Sequence, residues 1–237
     1  MRALKLLHSR HHDTRARVRA EIAALLTPDP TASGLTAADL TAAACCAHAA
    51  IDAEGQRALA SSTGPVPACA AGCSHCCHVH ADATVPELLA IAEHLRSTWS
   101  PPALADLRAR LAAHVARVAP LDDDARWTAR IPCALLDDAG RCTIHEVRPL
   151  RCRAFHSASA TPCRDAFAGD PDAEPLLNPA LDRAHDAVED GYDQALAEAG
   201  LPPEGHHLEA GLLLALDTPD AGARWLSGDA VFTPARR

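Results

Sequence analysis

Aromatic residues and methionine are scarce in this sequence. Phe, Trp and Tyr together make up 3% of the 237 residues, and there is a single Met. Hydrophobic residues still make up 48%, and alanine supplies much of that share. Because alanine is the strongest helix former and has a small side chain, we expect closely packed helices around a real core. An apolar content this high excludes disorder along the whole chain.

Positive charge and long apolar runs are scarce as well. The formal net charge is −9, which argues against the phosphate binding of nucleic-acid-binding proteins. No apolar run approaches the roughly 20 residues that cross a bilayer. We therefore expect no nucleic-acid partner and no membrane partner. The N-terminal segment has neither an apolar signal core nor a cleavage site, which predicts a cytoplasmic and reducing location.

Helical periodicity predicts a mostly α fold in a single domain, residues 1–237. We divide it into N-terminal helices (1–60), a cysteine-cluster core (61–165) and C-terminal helices (166–237). The core is expected to be an irregular cysteine-rich, metal-binding insert with at most a short hairpin. Apolar spacing and caps predict helices over 3–26, 36–53 and 176–199, after Thr84, after Ser100, at Pro149 and around Leu208–Leu216. The tail from residue 219 is predicted to be rich in loops.

Cysteine, by contrast, is abundant. The chain has ten cysteines, and eight of them fall into two groups. The first group is Cys69, Cys73, Cys76 and Cys77; the second is Cys133, Cys142, Cys152 and Cys163; Cys45 and Cys46 stand apart. In a reducing compartment, such a cysteine content indicates metal binding or catalysis before disulfides.

Three chemistries compete for these thiols. A disulfide framework is disfavoured by the reducing location, and the adjacent Cys76 and Cys77 point in different directions along most backbones. Thiol catalysis is formally allowed by C-x-x-C at Cys73–Cys76, but no βαβ pattern surrounds it. Metal binding fits best, because short spacings put several thiolates on one loop and the second group completes the set. Four thiolates suit either zinc or a [4Fe–4S] cluster.

Eight thiols exceed what one such centre requires. Either the protein has two metal positions, with Cys76 facing one and Cys77 the other, or some thiols are not ligands. The general pattern indicates a metal, whereas spacing alone does not distinguish zinc from iron–sulfur.

Histidines and arginines crowd the same region. The histidines are His75, His78, His80, His145 and His156, and each could supply a ligand or move a proton, although a surface position is the commoner role. His145 is the strongest candidate, since it follows Cys142 by three residues. Arg148 and Arg153 flank Cys152, where guanidinium groups would balance thiolate charge or hold an anionic cofactor. Ion pairs with neighbouring carboxylates explain these arginines equally well.

The two cysteine motifs share their order with a known family. C-x3-C-x2-C-C precedes a helix with an early glutamate, and C-x8-C-x-I-x-x-x-R-P-x-x-C-R follows. The matching residues are Cys69, Cys73, Cys76, Cys77, Glu87, Cys133, Cys142, Ile144, Arg148, Pro149, Cys152 and Arg153. This pattern resembles the YkgJ-type cysteine-cluster family, described as zinc- or iron-chelating, over about residues 66–156. Ser74 stands where the family usually has glycine, and His145 where it usually has tyrosine.

The resemblance extends to the flagellin lysine methylases, which are similar in their cysteine cluster and use a [4Fe–4S] cluster with S-adenosylmethionine. It implies an iron centre ahead of zinc. The expected ligands of one shared centre are Cys69, Cys73, Cys76, Cys77, Cys133, Cys142 and Cys152. Cys163 lies beyond the motif, so its role as a ligand stays open.

Three functions are consistent with these motifs. The first is metal chelation by two converging cysteine motifs, as an accessory to the modification of a protein or peptide. The second is a [4Fe–4S]-dependent methyl or group transferase that uses S-adenosylmethionine, with His145, Arg148 or Glu87 available for acid–base or anion-holding work. The third is a structural zinc module for protein–protein interaction.

Overall fold

A computed structural model describes residues 2–28 and 34–236, and for residues 2–10 it describes the backbone alone. The helices are α1 (Arg2–Leu25), α2 (Ala37–Ser61), α3 (Val85–Thr98), α4 (Pro101–Val118), α5 (Asp123–Ala129), α6 (Leu150–Ala154), α7 (Ala160–Ala168), α8 (Pro179–Glu198), α9 (Leu208–Asp217) and α10 (Ala221–Leu226). Shorter 3-10 turns cover His75–His78, His145–Val147 and Thr233–Ala235. The predicted mostly α fold is confirmed.

Strand structure is minimal. β1 (Asp82–Ala83) pairs antiparallel with β2 (His206–His207), and Asp82 lies opposite His207. These two strands connect the segment after the first cysteine group to the start of α9, so they join distant parts of the chain. None of the helices in the described ranges is both long and apolar enough to cross a membrane.

Side-chain caps begin α2 and α3 where the sequence predicts them. Thr36 and Asp39 form a reciprocal capping box at α2, in which each side chain accepts a bond from the other's backbone N–H. Thr84 and Glu87 form the same arrangement at α3. The Asn178 side chain caps α8. Each cap satisfies backbone N–H groups that the first helical turn leaves without partners.

Five helices, α1, α2, α3, α8 and α9, form what we call the helical frame. α8 packs along both α1 and α2, and α3 lies against α2 and α9. Its fully buried side chains include Val18, Ile22, Leu40, Ile51, Leu88, Ile91, Leu95, Val188, Leu196 and Leu212. Small residues set the spacing of the helices, since a Cβ on Gly191 would lie 2.7 Å from the Arg15 carbonyl oxygen. The alanine-rich composition therefore serves close helix packing.

Several sequence predictions need correction. α2 continues past residue 53 to Ser61, with Gly55 packed against His185 of α8. The helix predicted over 176–199 begins at Pro179, and Leu177, which precedes it, is 39% exposed. The tail after residue 219 contains α10 and a 3-10 turn. Residues 29–33 within the predicted interhelical segment lie outside the described residues.

Candidate metal centre

The first cysteine group lies on a tight loop that ends in a 3-10 turn. The Cys73 N–H donates to the Ala70 carbonyl at 2.9 Å, and the Cys77 N–H donates to the Ser74 carbonyl at 2.9 Å. Gly72 has a φ of +88°, which favours glycine. Ser74 has a φ of −123°, so its backbone does not need glycine. Serine at this position is therefore compatible with the turn.

The thiols of the adjacent cysteines Cys76 and Cys77 influence each other. A side-chain hydrogen bond with Cys77 is the largest influence on the thiol of Cys76, and it raises the pKa of Cys76 far above its usual value. Successive residues of a 3-10 turn are rotated by about 120° about its axis, so the two side chains leave the backbone in different directions while their thiols stay close enough to interact. Both remain free thiols, as do the other eight cysteines.

Backbone hydrogen bonds bring the second group to the first. The Cys133 N–H donates to the Cys77 carbonyl at 2.8 Å. Cys142 lies opposite Leu136 in an isolated antiparallel bridge, across a turn at residues 137–141. Within that turn Gly140 has a φ of +72°, and a Cβ there would lie 3.3 Å from the Gly72 carbonyl oxygen. The turn between Cys133 and Cys142 therefore packs directly on the first cysteine loop.

Glu87 places Cys152. Its Oε1 accepts a hydrogen bond from the Leu150 N–H at 2.8 Å, in the first turn of α6, which carries Cys152. Its Oε2 accepts from the backbone N–H and the hydroxyl of Thr84 at 2.8 and 2.9 Å. Burial opposes its charge, but His48 and these hydrogen bonds outweigh burial and lower the pKa of Glu87. One buried carboxylate thus ties the start of α6 to the start of α3.

Cys163, which the sequence left open, also reaches this region. It lies on α7, and its thiol donates to the Ser159 carbonyl at 3.8 Å. The Cys69 thiol donates to the Ser157 carbonyl, also at 3.8 Å. Ser157 and Ser159 are joined by a 2.8 Å hydrogen bond from hydroxyl to carbonyl. One short loop therefore receives thiols from both groups.

Phe167 holds α7 over the turn of the first group. Its ring lies 5.5 Å from the ring of His75 and 4.6 Å from that of His78, measured between centroids. The Arg130 guanidinium lies 4.5 Å from the centre of the same ring. His75 and His78 therefore make packing contacts with Phe167, a role that the sequence did not reveal.

The thiols of the site influence one another electrostatically. Burial raises the pKa of Cys152 to about 12, and Cys142 and Cys76 add to that rise. Burial likewise raises the pKa of Cys133 well above its usual value, with contributions from Glu209, Cys152 and Cys142. Because a bound metal replaces thiol protons, these groups are protonated in the metal-free protein and become thiolates on binding.

The cysteines suit a thiolate metal site by their chemistry, and backbone contacts bring the segments that carry them together. As the side chains stand, no three His, Cys, Asp or Glu within residues 2–28 and 34–236 are arranged to hold a metal ion. The backbone already joins the cysteine-bearing segments, and a cysteine side chain turns about one bond, Cα–Cβ. Closing a site therefore requires rotation of thiols and loss of their protons. Cys45 and Cys46 on α2 take no part in these contacts.

Comparison with known proteins agrees with this geometry. Residues 68–172 match the model of the CxxCxxCC family, described as a "putative zinc- or iron-chelating domain". The match covers this cysteine-rich part of the chain, which is similar to that domain and which we call the CxxCxxCC domain. The matched residues extend beyond the 66–156 of the sequence resemblance and include Cys163. No curated protein and no solved structure matches the chain.

The two arginines assigned to a cofactor differ in how the CxxCxxCC domain uses them. Each nitrogen of the Arg153 guanidinium donates within the chain: to the Arg148 carbonyl at 2.8 Å, to the Asp52 carboxylate at 2.6 Å and to the Glu146 carbonyl. Arg153 therefore fastens the 146–148 segment to α2. Arg148 lies within electrostatic range of Cys142 and lowers the pKa of that thiol, against a larger rise caused by burial. Arg148 is the better placed of the two to balance thiolate charge.

His145, the strongest histidine candidate, is engaged with Arg148. The Arg148 Nη1 lies 2.8 Å from the His145 Nε2 and donates to the His145 carbonyl at 2.8 Å. Burial and then the charge of Arg148 lower the pKa of His145, which favours the neutral ring as a hydrogen-bond acceptor. His156 is buried and accepts the Asn178 N–H at 3.0 Å. These histidines have structural partners in the metal-free protein.

A buried polar network that the sequence did not reveal links α5 to α9 and α4. Arg126 of α5 is fully buried and donates to the Glu209 Oε1 of α9 at 2.8 Å. Its other terminal nitrogen lies 3.1 Å from His80 Nδ1. The His114 Nε2 lies 3.1 Å from the same Glu209 oxygen. Glutamate within the otherwise apolar start of α9 was the one available signal, because a lone acid on a buried helix face needs a partner.

Proposed function

We propose that this protein chelates zinc or iron through the cysteines of its CxxCxxCC domain, as an accessory to the modification of a protein or peptide. The observation that carries the proposal is the 2.8 Å hydrogen bond from the Cys133 N–H to the Cys77 carbonyl. It unites cysteines separated by more than fifty residues of intervening chain, including α3 and α4. A loop of thiols joined in this way to further thiols is the arrangement that a thiolate-bound metal needs.

The geometry favours chelation over thiol catalysis. A catalytic cysteine needs a low pKa, normally provided by a nearby cation or a helix N-terminus. Burial instead raises the pKa of Cys73, and it also raises the pKa of Cys142. Thiols that hold their protons until a metal replaces them suit a binding site. The iron–sulfur form and the link to protein modification rest on the resemblance to the flagellin lysine methylases.

Metal analysis of protein purified without oxygen tests this proposal. We expect at least one equivalent of zinc, or iron with acid-labile sulfide and broad visible absorption. Protein that carries neither metal, and takes up neither after reduction of its thiols, would overturn the proposal. Calorimetry with S-adenosylmethionine on the metal-loaded protein then separates simple chelation, for which no binding is expected, from group transfer.

A further inference from the structure

Four large apolar side chains are exposed on neighbouring surface segments, and we call them the apolar patch. They are Val66, Phe155, Leu176 and Leu177, with exposed fractions of 73%, 47%, 52% and 39%. Within residues 11–28 and 34–236, only two other large apolar side chains are exposed to this degree. Apolar residues scattered singly over a surface are ordinary, whereas a group of them is typical of an interaction site.

Hydrogen bonds hold the three segments that carry the apolar patch next to one another. The Asn178 side-chain amide donates to the Pro65 carbonyl at 2.9 Å, which ties the segment of the two leucines to the segment of the valine. The Ala158 N–H donates to the Leu176 carbonyl at 2.7 Å, which ties the same leucine segment to the segment of the phenylalanine. The valine segment continues directly into Cys69. The apolar patch therefore lies beside the first cysteine loop.

Buried polar residues fix the backbone under the apolar patch. Asn178 is fully buried, and its N–H donates to the His156 Nε2 at 3.0 Å. Ser157 is also buried; its hydroxyl accepts the Leu176 N–H at 3.1 Å and its carbonyl accepts the Ala68 N–H at 2.8 Å. The exposed side chains thus stand on a backbone that buried hydrogen bonds hold in place. A surface ordered before binding loses little conformational freedom on association, which favours binding.

Unpaired carboxylates border the apolar patch. Asp170, Asp172 and Glu174 come immediately before its two leucines, and none of the three forms an ion pair within the part of the chain that the structure describes. The preceding basic residue, Arg164, already lies 3.8 Å from the Asp165 carboxylate. Negative charge without compensation beside an apolar surface complements a partner with lysine or arginine next to aliphatic side chains.

We propose that the apolar patch and its acidic border bind a partner protein, through a segment of that partner in which lysine or arginine flanks aliphatic side chains. This inference deepens the proposed function and rests on its accessory role, because it names the kind of protein that the chain accompanies. Burial of the aliphatic contacts supplies most of the affinity, and the carboxylates orient the partner and speed its association. The partner then docks next to Cys69, at the edge of the cysteine region.

Phage display of random dodecapeptides tests the proposal with a defined probe. The library is selected against the full chain, purified without oxygen, with the Leu176→Ser variant as the counter-selection. We expect the peptides that only the wild type enriches to combine aliphatic residues with lysine or arginine. Enriched peptides of net negative charge, or no enrichment above the variant, would overturn the proposal.

Fluorescence anisotropy with one enriched peptide then assigns the contacts. Leu176→Ser and, as a second variant, Val66→Ser should each weaken binding about tenfold, because each removes an apolar contact. Glu174→Gln should weaken it by about threefold and make it less sensitive to salt. The control is Leu25→Ser, at an exposed leucine of α1, which should bind as tightly as the wild type. If Leu176→Ser, Val66→Ser and the control all bind equally well, the apolar patch is not the docking surface.

All of these substitutions are at exposed positions, so the fold should persist, and circular dichroism checks that it does. Sedimentation velocity decides whether a second copy of the chain covers the apolar patch instead. We expect a monomer; a dimer that Leu176→Ser dissolves would overturn the inference of a different partner.

The metal content of the same preparation separates this inference from the proposed function. Protein that holds zinc or iron and selects no peptide loses the docking surface alone. Protein that selects basic, aliphatic peptides and takes up neither metal keeps the docking surface and loses the proposed chelation.

Discussion

The helical frame and the cysteine region are held together by different forces. The cysteine region, residues 68–80 and 131–168, has short helices, 3-10 turns and one isolated bridge. Its segments are joined by single directional hydrogen bonds, such as those of Glu87 and Cys133. The frame relies on fully buried aliphatic side chains along helices of 10 to 25 residues. We therefore expect the frame to form without metal and the cysteine region to become more rigid when it binds one.

Removal of metal should produce the largest difference in stability between the cysteine region and the helical frame. Structural zinc sites contribute of the order of 10 kcal/mol to the folding of the segments that bind them. On adding a chelator we expect amide protection to fall throughout the cysteine region, while the helical circular dichroism of the frame persists. Hydrogen exchange with peptide resolution measures both. Loss of the frame together with the cysteine region would show that the two are one cooperative unit.

A cavity in the frame should have the opposite effect. Leu88 is fully buried, and a Cβ on Gly211 would lie 2.4 Å from its side chain, so α3 and α9 are in close contact there. Leu88→Ala should lower the free energy of unfolding by about 3 kcal/mol. Urea denaturation measures this, with Leu177→Ala on the surface as a control that should change little. The number of metal ions bound should stay unchanged in both variants.

Acid should weaken the network that joins the frame to the cysteine region. Burial would raise the pKa of Glu209, but His114 and Arg126 outweigh it and lower that pKa to about 2. The charged carboxylate is favoured in the fold, so its contribution is complete above the usual value of 4.5 and is lost as the pH falls toward 2. Between pH 6 and pH 3 this group should cost about 2 kcal/mol of stability.

Urea denaturation at both pH values measures the effect of Glu209 by difference. Glu209→Gln should remove the pH-dependent part, so the gap between wild type and variant narrows by about 2 kcal/mol from pH 6 to pH 3. Glu204→Gln at an exposed position of the same segment is the control. A gap that stays constant with pH would mean that Glu209 contributes through packing and not through charge.

Removal of the Glu87 carboxylate should have a modest effect on stability, and that effect should be local to the starts of α3 and α6. Glu87→Ala leaves the Leu150 and Thr84 N–H groups without a partner, which costs about 2 kcal/mol. We expect faster hydrogen exchange at α6 and weaker zinc binding, because α6 carries Cys152. Glu93→Ala, on the exposed side of α3, is the matched control. Equal zinc affinity in the two variants would show that Glu87 does not position Cys152.

Local patterns predicted the helices that carry strong periodicity and caps. The starts of α2 and α3 follow from Thr36 and Thr84, each with an acid three residues later. α5 and α7 were missed because they are short, with no long apolar stripe to mark them. The fully buried Arg126 was missed for another reason, since nothing near an arginine in sequence tells whether Glu209 will meet it. Whether a charged residue is buried depends on whether the fold brings it an oppositely charged partner.

The amino-acid sequence by itself determined the α-rich class, the loop of thiols and the CxxCxxCC pattern, because these follow from local propensity and spacing. Only the tertiary structure decided that the Cys133 N–H meets the Cys77 carbonyl, that Glu87 holds the start of α6, and that the Cys69 thiol meets the Ser157 carbonyl. Those outcomes depend on which backbone carbonyls and helix ends meet across the fold. The packing of the whole helical frame decides these contacts, and no short stretch of sequence specifies them.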